Sequence, residues 1–144
     1  MTEVAFHFNV PDKLGYACRL LRKAHAAGSR VVVTGGPDDL RTLDVQLWTF
    51  AATEFIPHCH AEADPALVAA SPVLLADAPR GTPHQEVLVN LGEAVPEGFE
   101  RFERLIEVVS REDDDRQRAR GRWKHYADRG YAITRHDLAA REAR

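Results

Sequence analysis

The sequence predicts an α/β protein, a single three-layer domain whose mostly parallel sheet is flanked by helices. Three observations carry this. Arg30–Thr34 (RVVVT) is an unbroken β-branched run, as expected of a parallel strand buried on both faces. Ahead of it, an alternating strand, Glu3–Phe8 (EVAFHF), is followed by a helix-length stretch closed by Gly28. Together these complete a β–α–β unit, right-handed by default. Beyond it, strand-like and helix-like segments go on alternating down the chain.

In chain order, Asn9–Asp12 turns the first strand, and Asp12 caps a helix over Lys13–Ala27. Leu14, Cys18, Leu21 and either Ala24 or His25 share one face of that helix. Gly35-Gly36-Pro37 then leads from the second strand into a helix over Asp38–Trp48, with Leu40, Leu43, Leu47 and Trp48 turned inward. Val73–Ala76 and Glu86–Leu91 read as strands around an exposed turn at Ala78–His84. Pro96–Phe102 begins a short helix, and Leu105–Val109 is the last core strand. The final helix spans Asp113–Arg129 and stops at Gly130, the residue expected just past a helix C-terminus. Residues 1–136 are read as one domain and residues 137–144 as a charged tail.

Composition narrows the function. A chain of 144 residues is long enough for one domain that buries about two-thirds of its unfolded surface. A net charge of −3 argues against a dedicated nucleic-acid binder, which is normally basic overall. Cys18 and Cys59 are too few for a disulfide framework and suit a reducing compartment. No apolar run reaches the ~18 residues of a membrane span, and Met1–Val10 lacks the basic start and apolar core of a signal peptide. The expected location is cytoplasmic, with no membrane contact.

The most informative stretch is Arg111–Gly130. Acids at Glu112–Asp115 suit the partly positive helix N-terminus. Arg116, Arg120, Trp123, Lys124 and Ala127 fall within roughly a quarter of the helix circumference. Ala119, Trp123, Tyr126 and Ala127 form an apolar stripe beside them, so Trp123 borders both rows. From Arg116 to Arg129 there are six Lys/Arg against one acid, Asp128. The bland account is a solvated surface helix. The pointed one is a site for a ligand both acidic and apolar.

Other clusters carry less. The turn at Gly35-Gly36 lacks both the Gly-Lys-Ser/Thr ending of a phosphate loop and the three spaced glycines of a dinucleotide site. His58-Cys59-His60, with Glu62 and Asp64 nearby, has no second cluster to complete a metal site, so neither metal nor cofactor is expected. No Ser or Cys stands in a nucleophile elbow. Trp48, Phe50, Phe55 and Ile56 gather around Pro57, either capping the core or offering a protein contact.

Three motifs in order resemble the chi subunit family of bacterial DNA polymerase III. One joins Phe102, Glu107, Val108 and Val109 to a helix bearing Arg116, Arg120, Trp123, Lys124, Tyr126 and Gly130. A second runs from Leu21 and Ala24 through Gly28 to Arg30-Val31. The third is Leu47, Trp48 and Phe50 followed by Phe55, Ile56, Pro57 and His58. The resemblance implies a nucleotide-binding-like topology without a phosphate loop, and a non-catalytic accessory subunit of the polymerase in DNA replication. Such a subunit links the clamp-loader complex to single-stranded DNA-binding protein (SSB), whose tail ends in an acidic run closed by Ile-Pro-Phe and a free carboxylate. It further implies a tail site at Val109, Arg116, Arg120, Trp123 and Lys124, and a contact for the psi subunit or another clamp-loader subunit at Trp48, Phe55, Ile56 and Pro57. DNA is then reached only through SSB. The alternatives are direct single-strand binding by the Arg/Trp helix, or a small α/β enzyme of unrecognised activity.

Overall fold

The β-branched and aromatic runs pair into a seven-stranded sheet in which every pairing is parallel. The computed structural model describes residues 1–49 and 55–139; Phe50 of the third motif and residues 140–144 lie outside the described residues. The elements are β1 (Glu3–Val10), α1 (Lys13–Ala26), β2 (Val31–Thr34), α2 (Pro37–Thr49), β3 (His58–His60), α3 (Pro65–Ala70) and β4 (Val73–Ala76). β5 (Val87–Asn90), a 3₁₀ turn at Phe99–Arg101, β6 (Arg104–Ser110), α4 (Asp113–Asp128) and β7 (Ile133–Asp137) complete the chain.

Strand order is β3-β4-β2-β5-β6-β1-β7. The first two crossovers step toward the β3 edge and the later ones step back toward β7. With right-handed connections, the two directions place their helices on opposite faces. The core divides accordingly. Val31 and Val33 of β2 pack with Leu21 of α1 and Leu43 of α2, while Val32 packs with Val68 of α3 and Tyr126 of α4. Alternation along β6 does the same, Ile106 and Val108 turning to the first cluster and Leu105 and Val109 to the second. In β1 the alternation is broken by a bulge between His7 and Val10, where Asn9 adopts φ 60°, a left-handed conformation that Asn tolerates. Val10 thereby turns to the α1 face, opposite Val4 and Phe6.

The structure departs from the sequence expectations in identifiable places. β3, α3 and β7 were not foreseen. β3 is three residues long and has no β-branched residue, and α3 is six residues long, opened by an Asp64 cap and Pro65. The short helix expected over Pro96–Phe102 is a single 3₁₀ turn. Residues 137 and 138, expected to open a charged tail, belong to the fold. Asp137 ends β7 and accepts a hydrogen bond from Asn9 at 2.8 Å, and Leu138 is buried against the α1/α2 core. Gly35 has a packing reason to be glycine: a Cβ there would meet Leu91 Cβ at 3.3 Å, where the loop after β2 passes the end of β5.

Candidate functional site

α4 is fixed at both ends and along its inner face. At its start, Asp115 accepts a hydrogen bond from the Ser110 backbone N–H at 2.8 Å and pairs with Lys13 Nζ at 3.1 Å. Burial pushes the Asp115 carboxyl up, but the Ser110 N–H and the Lys13 charge outweigh it and hold it below the usual carboxylate value. At its end, Gly130 takes φ 79°, the left-handed conformation that lets the chain turn into β7. Between these, Ala119, Arg122 and Tyr126 face inward.

Arg122 and Tyr126 meet Glu107 of β6, which is fully buried on the α4 face. The Glu107 carboxylate accepts from Arg122 Nε at 3.0 Å, Asn90 Nδ2 at 3.0 Å and Tyr126 Oη at 2.6 Å. Burial holds its pKa above the ordinary carboxylate value, and Arg122 with the two neutral donors offsets only part of that push. Burial, with the neighbouring carboxylate, raises the Tyr126 phenol far above its ordinary value, so it stays a donor. This tether sets the rotation of α4 about its axis. With Arg122 turned to the sheet, Arg116, Arg120 and Trp123 are brought round toward the β1/β7 edge.

There they line a groove of about 430 Å³. Its floor is apolar, made by Phe6 and Phe8 of β1, Val109 of β6 and Ala119 of α4. Trp123 is half-buried, its ring 4.9 Å from that of Phe6. Arg116 and Arg120 form one wall and Arg135 of β7 contributes to the other. Four of the five residues expected to act together, Val109, Arg116, Arg120 and Trp123, are therefore neighbours. Lys124 is not among the lining residues; it is exposed and pairs with Asp128 at 2.7 Å. Of the apolar stripe, Ala127 is exposed, and the inward position falls to Arg122 instead.

The charge pattern separates the cations of α4 into two sets. Arg118 pairs with Glu93, Arg122 with Glu107 and Lys124 with Asp128. The guanidiniums of Arg116, Arg120 and Arg135, which border the groove, have no carboxylate or hydrogen-bond partner among the described residues. The apolar floor was legible in part, since Phe6 and Phe8 alternate along β1. Arg135 escaped notice because β7 did.

The aromatic patch lies at the other edge of the sheet. Trp48, at 59% exposure, and Phe55, at 56%, hold their rings 5.1 Å apart, and His58 packs 5.2 Å from Trp48. Val45, one turn before Trp48, is exposed as well. Trp48 thus points outward, not inward as the helix pattern suggested. Ile56 is the correction here: at 3% exposure it belongs to the α1/α2 core and anchors the segment, while Pro57 is half-buried beside it. His58 and His60 are paired with Asp44 and Asp77, at 2.9 and 3.6 Å. Among the described residues no group of three or more His, Cys, Asp or Glu is placed to hold a metal.

Fold and site together define an α/β protein of nucleotide-binding-like topology whose glycine turn serves packing, and whose groove suits an anionic, partly apolar ligand. Residues 1–134 match the model of the family described as DNA polymerase III chi subunit, HolC. The chain is also 35% identical, over 144 residues, to the DNA polymerase III subunit chi of Pseudomonas aeruginosa, covering 96% of this chain and 98% of that one. The chain belongs to the DNA polymerase III chi subunit family, and so is a replication accessory subunit, non-catalytic in itself. No helix among the described residues is long and apolar enough to cross a membrane.

Proposed function

We propose that this chain links the clamp-loader complex to single-stranded DNA-binding protein by holding that protein's acidic C-terminal tail in the groove beside α4. The observation that carries the reading is the set of three guanidiniums, unpaired among the described residues, around an apolar floor. A peptide ending in acids, an aromatic ring and a free carboxylate matches both features at once. Arg120, central in the row, takes the terminal carboxylate, which a guanidinium binds bidentately. Val109 and Trp123 wall the pocket for the terminal ring, and Arg116 meets the preceding acids. Lys124 stands beyond the groove and must leave Asp128 to take part. At the opposite edge, Trp48 and Phe55, with Pro57 beside them, form the tether to psi or another clamp-loader subunit, backed from within by Ile56.

Direct single-strand binding fits less well. Trp123 alone, half-buried against Phe6, is a small platform for stacking successive bases. The deciding experiment titrates an SSB C-terminal peptide against wild type, Arg120→Ala and Trp123→Ala. A peptide lacking the last Phe serves as control. Loss of Arg120 is expected to cost about 1.5–3 kcal/mol, roughly ten- to a hundred-fold in affinity. Equal binding by all three proteins, or indifference to the missing Phe, would place the site elsewhere.

A further inference from the structure

We propose that Arg135, on the edge strand β7, is a specificity-determining residue of the groove: it reads the acidic residues that precede the ligand's terminal ring. This rests on the tail-binding reading above and adds to it a second, cross-groove contact. Arg135 is opposite Phe6 in the β1/β7 register, and strand alternation puts it on the α4 face together with Ile133. Its guanidinium lies 5.5 Å from the Trp123 ring centroid and 5.7 Å from that of Phe8. Cation–π contacts of this kind engage the guanidinium through its charge and leave its N–H groups able to bind an anion. The guanidinium meets no carboxylate among the described residues; Asp137, the nearest acid in sequence, bonds Asn9.

The arrangement counts anions. A terminal carboxylate occupies one guanidinium, and Arg116 and Arg120, one turn or about 6 Å apart on α4, are both on the helix side. A ring seated on Phe8 and Val109 between the walls leaves Arg135 facing the ligand from the strand side. Neutralising it takes a second anionic group, displaced from the terminus along the peptide. An acidic peptide supplies that group and a merely hydrophobic C-terminus does not. Arg135 therefore distinguishes acidic tails from other tails that end in an aromatic residue.

The test uses calorimetric titration of the whole chain with two synthetic peptides. Both end in Ile-Pro-Phe with a free carboxylate; one carries Asp before it and the other Asn. Arg135→Gln is expected to weaken the Asp peptide by about five- to twenty-fold and the Asn peptide by less than about twofold. Arg120→Ala is expected to weaken both. Arg135→Lys, which keeps the charge and loses the planar fork of donors, is expected to retain the preference for Asp at reduced affinity. Equal losses for the two peptides with Arg135→Gln, or no loss at all, would overturn the role given to Arg135 while leaving the groove as the tail site. Failure of wild type to bind either peptide would reject the site itself, and this inference with it.

Discussion

Replacing Glu107 by Leu is expected to be among the most destabilising single changes in this protein, despite being a polar-to-apolar change in a core. Glu107 is fully buried and Arg122 is 2% exposed, so deleting the carboxylate strands a guanidinium in the interior. Arg122 has little to fall back on: beyond Glu107 it donates to the Glu93 carbonyl, and its Nη2 has no partner among the described residues. Breaking a buried pair from one side costs about 3–5 kcal/mol. The Tyr126 hydroxyl, which bonds Glu107 at 2.6 Å, loses its acceptor and adds about 1 kcal/mol. That is a large share of a typical total stability of about 5–15 kcal/mol. Removing both charges behaves differently, because an apolar pair of similar volume carries no desolvation cost. Glu107→Leu/Arg122→Met is therefore expected to recover most of the loss. Urea unfolding followed by circular dichroism measures all three, with unchanged m-values as the check on two-state behaviour. A loss below about 1 kcal/mol for the single variant, or a double variant no better than the single, would refute the account of α4 anchoring.

Two further outcomes follow from the α4 contacts. Because Asp115 titrates below its ordinary value of 3.8, its ionised form stabilises the folded state above that value, and the contribution is lost as pH falls through the folded value. Thermal melts from about pH 5 to pH 2 should fall less steeply for Asp115→Asn than for wild type, and parallel curves would count against the Lys13–Asp115 tie. Lys124→Ala should weaken tail-peptide binding by less than about threefold, since the side chain is exposed, off the groove and engaged by Asp128. A loss as large as that of Arg120→Ala would move Lys124 into the site.

The fold was legible wherever a segment's own pattern decides its structure. RVVVT can be little other than a two-sided buried strand, and the acid-rich start and Gly130 stop of α4 bracket it to within a residue. β3 and β7 were illegible for a physical reason. They are edge strands, short or polar, and hold their place by pairing with β4 and β1, which no local pattern announces. The same reason hid Arg135, whose relation to Trp123 exists only once β7 is laid beside β1. Helical periodicity grouped Arg116, Arg120 and Trp123 correctly. It also assigned Lys124 to the row and left Arg122 unremarked, because spacing alone cannot say that a buried Glu107 claims the arginine. Ile56 was grouped with its exposed aromatic neighbours by sequence proximity, whereas the turn before β3 sends it into the core.

The two surfaces given to partners sit at opposite ends of one sheet, and this bears directly on a linking role. The groove is at β1 and β7, and the aromatic patch is at the end of α2 and the start of β3. Six inter-strand spacings at ~4.8 Å separate β3 from β7, roughly 29 Å. That exceeds the ~10 Å over which exposed charges act at 0.1 M salt and the ~7–10 Å within which mutational effects couple. The helices of the two sites also lie on opposite faces, with a continuous parallel sheet between them. Occupancy of one surface is therefore expected to leave the other unchanged. Trp48→Ala/Phe55→Ala should bind the tail peptide within about twofold of wild type, and Arg120→Ala should retain the clamp-loader contact that Trp48→Ala loses. A tenfold change in tail affinity on removing the aromatic patch would mean that the two surfaces communicate, and that the subunit acts as a switch rather than as a rigid link.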